Sequence, residues 1–279
     1  MRRTESVDTI NQDTYRVGRI DYHSRSSTDF GMKILFPTFN PPAPTPSKQA
    51  LTIPGANGDY SDGAHTYGAV DVQVGVVIRI PKRYKEYGWF EGWSLLKSDI
   101  TNWLYGDPGW LKFELDPDYM YSAEVMSAPQ FTPVNSERIN ATITFHLQPF
   151  KFEADSLKWK PLELGTTIAY NKENTNVRPD WHINGTGSFL LKVNGVPYEF
   201  DNLDGDIYLI GDESNAYSAD PDKINAENEL LNTHLRLANN EAPELLCVGN
   251  GENTIEFEKI DADATLNKFE FKPKYRRLI

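Results

Sequence analysis

Residues Thr52–Ile80 read TIPGANGDYSDGAHTYGAVDVQVGVVIRI, and the second half of that stretch decides the fold. Val70, Val72, Val74, Val76, Ile78 and Ile80 alternate with Asp71, Gln73, Gly75 and Arg79, and Val77 is the one apolar residue out of step. A period of two puts the first set on one face and the second on the other. The run therefore predicts a long antiparallel strand with one buried face. The first half is glycine-rich, but no helix pattern comes after it, so no helix N-terminus is placed to face a phosphate. Gly55 and Gly58 read as turn residues that tolerate positive φ rather than as a ligand cradle.

The same alternation returns downstream, where Ile139, Ala141, Ile143, Phe145 and Leu147 alternate with Asn140, Thr142, Thr144 and His146. Two long strands, each with a polar face, predict a sheet with one side solvated or lining a channel. Between them, the spacing of Trp89, Trp93, Leu96, Ile100 and Trp103, with Leu104 beside them, predicts a helix over 89–105. Gly106-Asp107-Pro108-Gly109 stops it. The apolar face of this helix either packs on the sheet or is partly buried by another subunit, since Trp is enriched in interface cores. WLKFELDPDYMYSAEVM, residues 110–126, reads as strand, Asp-Pro-Asp turn and strand. Upstream, strand signals at Tyr15–Tyr22 and Met32–Phe36 lead into PTFNPPAPTPSKQ, residues 37–49. Its five prolines lack amide donors and fix φ, which predicts an extended, exposed arm.

The alternation ends around Phe150–Gly165, and a domain boundary is expected there, giving domains 1–153 and 154–279. The C-terminal part reads as short strands separated by turn signals. FLLKV, Asn194-Gly195 and VPYEF form a hairpin signature. Asp204-Gly205 leads into DIYLI, Asn250-Gly251 precedes NTIEFEKI, and KFEFKP closes the domain. Regular short strands with Gly turns predict a β-sandwich, so the whole chain reads as mainly β.

The 279 residues carry 28 basic and 40 acidic groups, a net charge of −12. Residues 1–153 hold 15 basic and 18 acidic groups, about −3, and the remainder 13 and 22, about −9. No basic stretch occurs, which argues against wrapping nucleic acid, because phosphate binding needs clustered Lys and Arg. Cys247, the one cysteine, sits among apolar neighbours in ELLCVGN and reads as a buried small hydrophobe, not a nucleophile. No apolar run reaches membrane-span length. The start, MRRTESVDTINQ, has no hydrophobic segment after its arginines, so synthesis in a cytoplasm without a signal peptide is expected.

The motifs of phosphate loops, dinucleotide folds, zinc proteases and serine hydrolases are absent, and the five histidines are scattered. Asp116 and Asp118 in LDPDY, and Asp201, Asp204 and Asp206 in DNLDGD, are oxygen ligands on turns, yet neither set fits an EF-hand loop. No catalytic residue, cofactor or metal is expected. In WHINGTG, residues 181–187, Trp181, His182 and Asn184 have the chemistry of a sugar contact. The competing reading is a strand that ends in a Gly turn.

The quoted stretch also carries a resemblance. Ile53-Pro54-Gly55 and Gly58, then Tyr67-Gly68 and the long alternating strand, resemble the distal tail (Dit) proteins of long-tailed bacteriophages, the siphoviruses. In order along the chain, so do the Trp/Leu helix with its Gly-Asp-Pro stop, WLKFELDPDYMYSAEV, ITFHLQPFKF, NGTGSFLLKVNG, LDGDIYLI, CVGNGENTIEF and FKPKYRRLI. The resemblance spans roughly Tyr15 to the C-terminus. It implies a non-enzymatic virion protein whose N-terminal β-sheet domain, with one helix and an extended hairpin, closes a homo-hexameric ring around the tail channel. The C-terminal domain would be a galectin-like β-sandwich pointing outward. As the hub of the tail tip or baseplate, the ring joins the tail-tube (major tail) protein to a tail-associated or tip protein, and in some members it carries receptor-binding proteins. Phage DNA would pass through without specific binding, and no membrane is involved. On this reading the ring contacts are expected at Ile53, Pro54, Gly55, Gly58, Val70, Val72, Val74, Trp89, Trp93 and Trp103. The alternative is a carbohydrate- or host-receptor-binding sandwich centred on Trp181, His182 and Asn184.

Overall fold

The computed structural model describes residues 17–35, 38–47, 50–52, 59–61, 66–220, 229–236 and 245–279. The fold is mainly β and divides into two compact units, Met1–Lys151 with Leu278–Ile279, and Phe152–Arg277. The division falls two residues before the expected one, and the last two residues return to the first unit, a return that nothing in the sequence announced.

The first unit is built on the alternating run. The strand Val70–Arg79 pairs antiparallel with Arg138–Glu153 through an unbroken ladder from Val70↔Leu147 to Arg79↔Arg138. Both inward sets, Val70 to Ile78 and Ile139 to Leu147, are buried in one core. Because side chains alternate, the partners Asp71↔His146, Gln73↔Thr144, Gly75↔Thr142 and Val77↔Asn140 all lie on the opposite, solvated face. The sheet order runs Val17–Gly18, Met32–Leu35, Val70–Arg79, Arg138–Glu153, Tyr119–Glu124, Gly109–Phe113, Ile20–Tyr22 and Arg25–Ser26. Its near-terminal members Val17–Gly18 and Ile20–Tyr22 are separated in the chain by Arg19 alone, so the sheet curls back toward itself.

The helix Trp89–Leu104 covers the core with Gly92, Leu96, Ile100, Trp103 and Leu104. Gly92 lets the helix approach the preceding turn, since a Cβ there would lie 2.0 Å from the Tyr84 carbonyl oxygen. At the other end Tyr105 turns extended and the Gly106-Asp107-Pro108 run ends the helix. The proline-rich arm is exposed over much of residues 38–47, but it is pinned at its start. Phe39 stacks on Phe113 with centroids 3.5 Å apart, and Thr38 Oγ1 accepts the Gly75 N–H at 3.1 Å. That amide lies beyond the end of the Met32–Leu35 ladder, so the threonine replaces a missing strand.

The second unit departs from the expected row of short strands. Asp180–Val193 and Val196–Ile210 form one long hairpin around Asn194-Gly195, both at positive φ. The dipeptides read as breaks, Asn184-Gly185 and Asp204-Gly205, lie inside these strands. They bend the ribbon, and the register shifts at Asn184/Gly185 and again between Gly187 and Phe189. Up to the bend, the ribbon's first strand pairs with Thr265–Lys272. Beyond it, the same strand pairs with Gly251–Lys259, which in turn carries the edge strand Gly165–Asn171. A single ribbon thus serves two groups of strands around one core that includes Trp181, Phe189, Phe200, Phe257 and Phe269.

Candidate functional site

The expected ring contacts fall into three groups. Ile53, Pro54, Gly55 and Gly58 lie outside the described residues. Val70, Val72 and Val74 point into the first unit's core. Their side chains are consumed by that core and are not available to a neighbour; the same strand presents Asp71, Gln73, Gly75, Val77 and Arg79 instead. Trp103 is likewise core, 3% exposed, stacked on Phe30 at 4.8 Å and donating its indole N–H to the Tyr22 carbonyl at 2.8 Å.

The N-terminal turn of the helix behaves differently. Trp93 is half-buried edge-on against Phe131 at 5.3 Å, while Trp89 is 40% and Phe90 83% exposed, with Tyr87 and Leu95 also exposed nearby. The apolar stripe read from the sequence therefore splits. Its C-terminal part seals the core, and its first turn lifts off, leaving aromatic side chains in solvent. Helix periodicity alone does not show where a stripe leaves the sheet. Phe90, outside the stripe, carried the clearer signal, a large apolar residue on the polar side.

The solvated sheet face is polarised. His146 Nδ1 and Asp71 Oδ1 are 2.7 Å apart at one end of the ladder. At the other end Arg79 and Arg138 stand directly opposite each other, and Lys33, paired with Val77, lies on the same face. The sequence has no basic stretch, yet the fold gathers three cations from three separate segments. The cluster arises from pairing the two alternating runs with each other and Met32–Leu35 with the first of them, and no one segment shows it alone.

In the second unit, Trp181 is 0% exposed and lies between Phe269 and Phe271, with ring centroids 6.1 Å and 5.7 Å away. It has no free face for a sugar ring, so the alternative reading as an aromatic sugar platform finds no support there. His182 is also buried: Nε2 lies 2.7 Å from Asp206 Oδ1, Nδ1 lies 3.1 Å from Glu270 Oε2, and the ring stacks on Tyr208 at 4.0 Å. Burial pushes the Asp206 and Glu270 carboxyls up. Hydrogen bonds outweigh it and hold both below the ordinary carboxylate range, from His182 and Asn184 on Asp206 and from Lys268 and His182 on Glu270. Asn184 accepts from Asn267 Nδ2 at 2.8 Å. All three residues are engaged in holding the bent ribbon.

Two further turn carboxylates are also engaged. Asp116 accepts from Tyr121 Oη at 2.5 Å and from Lys151 Nζ at 2.7 Å. Asp201 accepts from Ser188 Oγ at 3.2 Å. Among the described residues, no three His, Cys, Asp or Glu side chains gather as a metal site, and no helix is long and apolar enough to cross a membrane. Cys247 is buried, and burial pushes its thiol up to about 12.

No protein-family model matches the chain, and comparison with curated proteins finds no match. Among solved structures, the chain is similar to the crystal structure of SPP1 Dit (gp 19.1), described as a paradigm of the hub adsorption apparatus in phages infecting Gram-positive bacteria. The TM-score is 0.61 at 11% identity, with 92% of this chain and 98% of that chain covered, so the two share a fold along nearly their whole lengths.

Proposed function

We propose that this chain is a structural hub protein of a phage tail tip, working by shape and interface rather than by chemistry. The observation that carries the reading is the shared fold with a phage hub protein across nearly the whole of both chains. On this reading six copies close a ring around the tail channel. The ring stacks on the tail-tube protein on one side and on a tail-associated or tip protein on the other, and the second unit offers a mount for receptor-binding proteins. The exposed Tyr87, Trp89, Phe90 and Leu95 around the start of the helix support an assembly role, because apolar side chains grouped at a surface, unlike single ones, mark sites that are covered in a complex. The part of the solvated sheet face formed by Asp71–Gly75 and Thr142–His146, which carries no Lys or Arg, suits a surface over which DNA moves without tight binding.

The test is the mass of the purified chain by light scattering on a size-exclusion column. Closed cyclic symmetry predicts six copies of 31.7 kDa, about 190 kDa, or twice that for paired rings. A monomer at high concentration, alone and with its tail-tube partner, would sink the ring. The carbohydrate-binding alternative draws no support from the buried Trp181.

A further inference from the structure

The basic end of the solvated face is a built feature of the sheet. Arg79 and Arg138 are direct cross-strand partners, an arrangement that destabilises a ladder when the like charges have nothing between them. Together they line two adjoining grooves. One, of about 300 Å³, is completed by Gly31, Lys33, Leu35 and Val77. The other, of about 360 Å³, is completed by Lys85, Asn135 and Glu137. Glu137 bonds Lys85 Nζ at 3.0 Å, and its carboxyl is held below the ordinary range first by that bond and more weakly by Arg79. The two grooves together thus hold four cations and one carboxylate, which is already engaged. Lys33, Arg79 and Arg138 form no ion pair among the described residues. The next carboxylate along the strand face, Asp71, lies ~27 Å away at about 3.4 Å per residue and is taken by His146.

We propose that the groove between Arg79 and Arg138 receives a carboxylate of a neighbouring copy of this chain. Two guanidinium forks across a ladder match the planar, two-oxygen geometry of a carboxylate. Charge complementarity names the source. The chain carries 40 acidic groups and a net charge of −12, so another copy is a dense supply of carboxylates. A closed ring sets one patch of a subunit against a different patch of the next, so a basic groove on one side meets acidic surface on the other. A nucleic-acid track would need cations spaced along a line to match successive phosphates. Here they crowd one end of the face, and the far end carries Asp71. The inference rests on the assembly reading above, and it specifies one contact within it.

The experiment compares the mass of the wild-type chain with Arg138→Glu and with Arg138→Gln, in low salt and in about 0.5 M salt, where exposed charge pairs are largely screened. Circular dichroism and the thermal midpoint check that each variant is folded. The expected result is a wild-type multimer, weakened in high salt, with Arg138→Glu running near 31.7 kDa and Arg138→Gln in between. A multimer unchanged in folded Arg138→Glu overturns the groove contact and leaves the assembly reading intact. A wild type that stays monomeric both alone and with its tail-tube partner overturns the assembly reading and this occupant with it. A labelled DNA duplex is titrated in parallel. Tight binding by the wild type that is lost in Arg138→Glu would name phosphate as the occupant and overturn the proposal.

Discussion

The indole N–H of Trp103 donates to the carbonyl of Tyr22 at 2.8 Å and so joins the end of the helix to a strand near the end of the curled sheet. The same ring stacks on Phe30 and meets Tyr22 edge-on. Trp103→Ala should cost about 3–5 kcal/mol, the range for emptying a large buried aromatic site. Trp103→Phe should cost less, since it keeps most of the ring and loses one hydrogen bond, at roughly 0.5–1.5 kcal/mol. Chemical denaturation of the full chain reads both. A midpoint unmoved by Trp103→Ala would show that the helix end is not part of the core.

Phe90 should behave in the opposite way. Its side chain is in solvent, so Phe90→Ser should leave unfolding free energy within about 0.5 kcal/mol of wild type. Under the assembly reading it should still weaken the multimer, measured by mass against dilution. An unchanged dissociation midpoint would take this turn out of the interface.

Acid should loosen the second unit through the His182 cluster. Asp206 and Glu270 have folded values below their unfolded ones, so the stability they contribute is fully present above about pH 4, the ordinary carboxylate value, and is lost as pH falls through the lowered folded values. The thermal midpoint should therefore drop on acidification, and Glu270→Gln should flatten that drop. Equal slopes in wild type and Glu270→Gln would remove Glu270 from the effect.

Gly187 sits at φ 95°, and a Cβ there would meet the Ala264 Cβ at 2.8 Å. Gly187→Ala combines backbone strain with a clash against a packed residue, and a loss of roughly 1–3 kcal/mol is expected. Denaturation of the variant measures it. No loss would mean that the bulge can relax without cost.

Cys247 should be silent toward thiol reagents in the folded chain. It is buried, its thiol is raised by burial, and its backbone pairs with Val177 in both directions at 2.9 Å. Labelling should become fast only in denaturant. Rapid labelling under native conditions would show that this segment opens readily.

The first unit was legible because its signals were periodic. Alternation from Val70 to Ile80 and from Ile139 to Leu147 specifies two strands and their buried faces, and those faces form the ladder found. The same pattern did not say that valines facing a core are unavailable to a partner, which moved the presented side chains by one position, to Asp71 through Arg79. The second unit was misread at Gly185 and Gly205, while Asn194-Gly195 makes the turn its sequence indicates. Asn-Gly and Asp-Gly favour turns in isolation, but in a long twisted ribbon the same conformational freedom makes a bend or bulge, and only tertiary pairing distinguishes the two. The burial of Trp181 and the stacking of Phe39 were hidden for a related reason. Each lies beside polar or proline-rich residues, and burial was decided by strands distant in the chain.

The bent ribbon Asp180–Ile210 has a mechanical consequence. A strand joined to one neighbour can be unzipped bond by bond, whereas this one is clamped by Thr265–Lys272 along its first half and by Gly251–Lys259 along its second. A pull along its length loads both ladders in shear at once, so the ribbon would yield only when many bonds break together. The second unit is therefore built like a beam with a continuous spine, and a tether fixed to either half would transmit tension through the other.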